Sequence, residues 1–242
     1  MPDFVYSPAM ADNDAILISG ASGCIGSTLA RLLYADGRAL VLFGRNREAL
    51  DKLAVELPGS QVLTGDIGHA DTLAGTLTFP DRLAGVVHAA GICEGRPFED
   101  SDPAIIREHL EVNLVGPSEL TRLALPALRA GRGTVVLVNS LVGLYPWPGW
   151  IGYTMSKYGL KAFAETLRLE EFDKGVRVSS IFASRVATPL QAKVHAQEGK
   201  EYQPDEWVQP ETMARTIRNV LDMPRDAELK DITLMHQHYP RP

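Results

Sequence analysis

Short, uniformly apolar runs alternate with longer segments of helical period along nearly the whole 242-residue chain. AILIS (15–19), ALVLF (39–43), QVLTGD, LAGVVHAAG, GTVVLVNS and VRVSSIFA are short and largely apolar. Strands of that kind belong to a parallel sheet covered on both sides. Between them lie CIGSTLARLLYADG, ending at Gly37, and REALDKLAVEL, with apolar residues three and four apart. Further helices are expected around 69–78 and 103–130, from about Ile151 to Asp173, and over PETMARTIRNVLDM, before a last short strand in ITLMH. This order predicts an α/β protein with a doubly wound parallel sheet of about seven strands, helices on both faces and a single domain.

No repeat or linker interrupts the series. Residues 14–236 are read as the domain, 190–208 as its most irregular insertion and substrate loop, and 1–13 and 237–242 as a flexible extension and a tail. At 45% hydrophobic the chain can bury a large core. Its net charge of -6, with Lys and Arg scattered, excludes a basic nucleic-acid footprint. The two cysteines, Cys24 and Cys93, have no framework spacing and suit a reducing compartment. The start, MPDFVYSPAMADND, lacks the basic and apolar regions of a signal peptide, and Met10 offers an alternative start. No run is long enough to span a bilayer, so no membrane association and a cytoplasmic location are expected. His236 and His238, in a polar tail, are read as no metal site.

SGASGCIG (19–26) joins the first strand to the first helix. Glycines there permit a tight turn and let backbone N–H groups approach a pyrophosphate at the positive end of the helix. The alternative is glycines that serve a turn and nothing more. Folds that take NAD place an acid after the second strand, on the ribose 2′-hydroxyl. Here FGRNRE offers Arg45 and no acid. A guanidinium grips a 2′-phosphate that a carboxylate would repel, which favours NADP over NAD. The bland reading makes Arg45 and Arg47 a solvated turn.

Tyr153 and Lys157, in YTMSK, share one helix face. Seven tyrosines give about 0.2 such pairs by chance, so the pair alone decides little. A free phenol has a pKa near ~10. An ammonium about 4 Å away, at an effective dielectric near 20, contributes roughly 4 kcal/mol as an upper limit, enough to bring a phenol into acid–base range. Ser140, closing a strand, can supply a second donor for a substrate oxygen.

With these residues in place, the chain resembles the short-chain dehydrogenase/reductases from Ala15 to about His236. SGASGCIG is similar to the family's TGxxxGxG loop, HAAG (88–91) to its NNAG, and VNLVGP (112–117) to its Asn-bearing segment. VNSLVG and YTMSK resemble the strand and helix of the Ser and YxxxK motifs, and RVATPL (185–190) the nicotinamide-side segment. The resemblance implies a Rossmann-type fold and an NADP-dependent oxidoreductase acting on a small alcohol or carbonyl compound. It makes Tyr153 the general acid or base, with Lys157 lowering its pKa and binding the nicotinamide ribose. Ser140 would bind the substrate oxygen, and Asn113 would hold a relay water. Gly20, Ser22, Gly23, Cys24, Ile25 and Gly26 would surround the phosphates. Arg45 would take the 2′-phosphate, Asp66 and Ile67 the adenine, Ala89, Ala90 and Gly91 the ribose, and Val186 with Thr188 the carboxamide. A homodimer or homotetramer is implied as well.

Cys24 replaces the usual middle glycine, Ser19 a threonine, His88 an asparagine, and Ala183–Ser184 a Pro-Gly. A thiol at a helix start can be acidic, which raises a redox switch at Cys24 against simple packing. LYPWPGW (144–150) predicts either an apolar substrate pocket or tryptophans packed at a helix start or subunit contact. Two other functions remain open: a non-catalytic NADP(H)-binding redox sensor, and an epimerase or dehydratase on the same fold.

Overall fold

The computed structural model describes residues 14–237. The first strand, β1 (Ala15–Ser19), is wholly buried and its side chains alternate between two cores. The helix α1 (Cys24–Ala35) follows, then β2 (Leu40–Gly44), α2 (Arg47–Glu56), β3 (Gln61–Thr64) and β4 (Leu83–His88). Next come α3 (Pro103–Leu110) and α4 (Gly116–Gly131), joined by a π-helical segment, Glu111–Val115. The remainder is β5 (Thr134–Ser140), α5 (Ile151–Glu171), β6 (Arg177–Ala183), α6 (Pro189–Gln197), α7 (Pro210–Leu221) and β7 (Asp231–Leu234).

All strand pairs are parallel, in the order β3-β2-β1-β4-β5-β6-β7. Chain direction across the sheet reverses between β1 and β4, the switch point at which such sheets leave a crevice at their carboxyl edge. Helices α1, α2 and α7 cover one face through Leu29, Leu33, Leu50, Leu53, Met213 and Ile217. Helices α4 and α5 cover the other through Leu120, Ala124, Leu128, Leu160, Ala164 and Leu167. Strands β1, β2 and β4 are buried throughout and β5 and β6 nearly so, whereas the edge strands β3 and β7 are not, which is why their sequences are less uniformly apolar.

Local chemistry sets several boundaries. Asp102 caps α3 by accepting from Ala104 and Ile105 N–H, with Pro103 at the first helical position. Thr188 caps α6 in the same manner, ahead of Pro189. Two expectations are corrected. The helix expected over 69–78 is only a short turn at Ala70–Thr72, since Gly75 adopts a φ of +77° and leaves no room for further turns. The insertion at 190–208 begins as the ordered helix α6, because Thr188–Pro189 starts a helix more strongly than its composition suggests. No helix among the described residues is long and apolar enough to cross a membrane.

Candidate active site

The loop after β1 is built by backbone contact. Gly20 has φ +68°, and a Cβ there would lie 2.8 Å from Ala90 Cα. A Cβ on Gly26 would stand 2.2 Å from the Gly20 carbonyl oxygen. The loop and the end of β4 are therefore pressed together with no space for side chains. Gly23 caps α1 without a side-chain hydrogen bond, and no acid lies in the first turn. The first N–H groups of α1 thus face outward on a positive helix end, the fit a pyrophosphate requires.

A cleft of about 120 Å³ runs from this loop along the carboxyl edge of the sheet. Ile25, Ala89, Ala90, Gly91, Ser140, Tyr153, Lys157, Val186 and Thr188 all line it. The sequence-expected nicotinamide-side residues and the Ser-Tyr-Lys set therefore meet in one place. Gly20, Ser22, Gly23, Cys24 and Gly26 form the adjoining loop, with Ser22 and Gly23 exposed. Arg45 is exposed at the end of β2, and Arg47 beside it is paired with Asp51 at 2.8 Å. Ile67 is buried against Gly116, and Asp66 accepts from the Gly68 N–H, so its carboxylate is turned into its own loop.

The Tyr153–Lys157 relation differs from the expected one. Lys157 is 5% exposed, lies 5.7 Å from the Tyr153 ring centroid and donates to the Val138 carbonyl at 3.0 Å. The phenol is nonetheless pushed up, not down. Burial is the main cause, reinforced by Cys93 and only partly opposed by a hydrogen bond from Ser140. The same burial pushes Lys157 down to about 8, so it stays largely cationic at neutral pH. The ring keeps partial exposure to the cleft, so it remains reachable.

Asn113 is buried in the π-helical segment, where its Oδ1 accepts from Ile92 N–H while its Nδ2 donates to Ile92 O and Ser156 Oγ. Its amide pins the loop after β4. At Cys24 burial and Glu211 raise the thiol, which favours packing over a redox switch. His88 takes its asparagine position as a buried base held down at about 3 by burial. The Thr121 hydroxyl donates to Pro117 O, so the His88 Nε2–H donates to Thr121 at 2.8 Å.

One neighbour of Tyr153 was not legible in the sequence. Cys93 is hydrogen-bonded to Tyr153, and its thiol is pushed up to about 12 by burial. Trp150 packs on Gly95 and edge-on to Tyr153 at 6.4 Å, while Trp147 is 63% exposed at the mouth of the site. Both tryptophans line the wider cleft beyond Tyr153, and Trp150 also stands at the start of α5. His236 is bonded to Ser184 and meets Trp207 edge-on at 4.7 Å, and His238 lies outside the described residues.

Fold and cleft together define a doubly wound α/β protein with a dinucleotide-type crevice at its switch point. The short chain dehydrogenase family model matches residues 14–199. Dehydrogenase/reductase SDR family member 7B of Bos taurus is 31% identical over 209 residues, covering 80% of this chain and 64% of its own length. An uncharacterized short-chain type dehydrogenase/reductase of Sinorhizobium fredii is 28% identical and covers 92% of this chain and 91% of its own length. Among solved structures, an alcohol dehydrogenase from the archaeon Thermococcus sibiricus, complexed with 5-hydroxy-NADP, is similar at 27% identity. Its TM-score is 0.79, and the match covers 95% of this chain and 98% of that one. The chain belongs to the short-chain dehydrogenase family.

Proposed function

We propose that the protein is an NADP-dependent oxidoreductase that interconverts a secondary alcohol or other hydroxyl compound and its carbonyl. The observation that carries this reading is the single cleft that joins Ile25, Ala89–Gly91 and the Ser140–Tyr153–Lys157 set. A nicotinamide cofactor, when bound, supplies or accepts the hydride.

In this reading the chain's own residues handle the oxygen and the proton. Ser140 Oγ donates to the substrate oxygen and fixes it against Tyr153. Tyr153 can donate its proton to that carbonyl oxygen as negative charge develops there, against the cost that burial places on the phenolate. Lys157, anchored on Val138 O, holds a cation beside the ring and counters the phenolate left after transfer. Asn113 acts as a positioning residue that fixes the Ile92 backbone beside the cleft. Arg45, exposed and with no carboxylate partner among the described residues, supports NADP over NAD. Val115, just before α4, and Met155 and Tyr158 on α5 keep exposed apolar surface, which fits a homodimer or homotetramer.

The test is oxidation of NADPH and NADH against ketones, aldehydes and quinones. Tyr153→Phe should lower kcat by about 10²- to 10⁴-fold and leave NADPH affinity unchanged. An active Phe variant overturns the acid role. Arg45→Ala should raise the KM for NADPH about 10-fold, near 1.4 kcal/mol, without affecting NADH. Equal losses for both cofactors overturn the 2′-phosphate assignment.

A further inference from the structure

Beyond Ser140 and Tyr153 the site widens into a second cleft of about 500 Å³, a size typical of small-molecule sites. Its outer wall is aromatic, with Tyr145 and Trp147 65% and 63% exposed and Trp150 behind them. Such rings offer broad faces to another flat ring. The opposite end carries Ser184, Arg185, Gln191 and His236 and looks polar by composition.

That polar end is closed on itself. Arg185 donates through Nη2 to both carboxylate oxygens of Glu198, at 2.6 and 2.9 Å, and its Cζ lies 5.5 Å from the Trp207 ring centroid. Its charge is paired with a carboxylate and partly covered by the ring. Ser184 Oγ accepts from the His236 backbone N–H at 2.9 Å and sits 3.0 Å from His236 Nδ1. The Gln191 amide nitrogen stands 3.1 Å from His195 Nδ1. Among the described residues, no Asp, Glu or Lys lines this cleft. A substrate carboxylate or ammonium would therefore lose its water with no counter-charge waiting, and a row of sugar hydroxyls would find few open partners.

Resting on the oxidoreductase reading above, we propose that the site takes a neutral, ring-bearing ketone and discriminates against charged and polyhydroxylated carbonyl compounds. The Arg185–Glu198 pair is the element that removes charge recognition, and Trp147 is the one that favours a ring.

The inference is tested by calorimetry on the full chain with NADP⁺ present, using 2-acetylnaphthalene, its 6-carboxylate analogue and a hexose. The neutral ketone should bind at least 10-fold tighter than the carboxylate, with the hexose weakest. Trp147→Ala, at an exposed position, should weaken the neutral ketone about 5-fold and leave NADP⁺ affinity alone. Glu198→Gln should tighten the carboxylate analogue by exposing the Arg185 charge. A wild-type carboxylate affinity equal to or above that of the ketone, or no ketone binding, overturns the inference. If binding follows the stated order but NADPH is not oxidised with any panel member, the oxidoreductase reading fails and the site assignment stands. If NADPH is oxidised with the charged or hydroxylated compounds in preference, the outcome is reversed.

Discussion

The two halves of the crevice are made of different material. The nucleotide half, between β1 and β4, is backbone against backbone: Gly20 touches Ala90, and Gly26 touches Gly20. The substrate half, between 144–150 and 184–198, consists of side chains that meet across long separations, such as Arg185 with Glu198 and Trp150 with Gly95. A backbone-made surface tolerates almost no substitution, because any added atom must displace main chain. A side-chain-made surface can be re-cut residue by residue while the scaffold holds.

Three experiments would sharpen or break that contrast. The largest effect is expected at Gly26→Ala, whose methyl would fall 2.2 Å from the Gly20 oxygen. It should raise the Kd for NADPH at least 100-fold, about 3 kcal/mol, and cost a further ~1–3 kcal/mol of stability. Near-native binding by titration would show the loop to be softer than its contacts imply. Next is His88→Asn, one strand below the loop. The folded protein holds His88 neutral down to about 3, whereas an unfolded histidine protonates near 6.5. Stability is therefore complete above about pH 6.5 and falls as pH drops toward 3, by about 3 kcal/mol at pH 4. The Asn variant should lose this acid slope in urea melts at pH 7 and pH 4. An unchanged slope would place the acid sensitivity elsewhere.

The smallest effect is at Lys157→Met, where function and stability should separate. Lys157 falls from 10.5 to about 8 on folding. Its burial therefore destabilises the protein fully below pH 8, and the cost disappears as pH rises toward 10.5. Replacement by an apolar chain should raise stability at pH 7 by about 2 kcal/mol while turnover collapses, read by thermal melts beside the NADPH assay. A lower Tm would mean that the bond to Val138 O outweighs the burial of charge.

How legible each half is in the sequence follows from the same contrast. SGASGCIG is readable because a positive φ and a close approach select one residue type, so chemistry and letter coincide. Ser140, Tyr153 and Lys157 are readable because one strand and one helix turn place them together. Arg185 with Glu198 is not readable, since either residue alone passes for a solvated charge. Spacing alone misjudges the Tyr153 electrostatics, because Coulomb attraction follows from spacing while burial depends on the packing of Cys93 and the loop after β4. The turn at 70–72 was misread as a helix because local period says nothing about Gly75's left-handed backbone.

The π-helical segment at 111–115 has a consequence for length instead of composition. A π turn holds one more residue than the α turn it replaces, so the rod from Pro103 to Gly131 changes phase there. Before it, His109 faces Glu94 N–H; after it, Leu120, Ala124 and Leu128 face the sheet. Deleting a single residue from this stretch would make a more regular helix and swing one of those two faces about 100° out of alignment. Chain length at this point is thus as strictly held as any residue identity in the crevice.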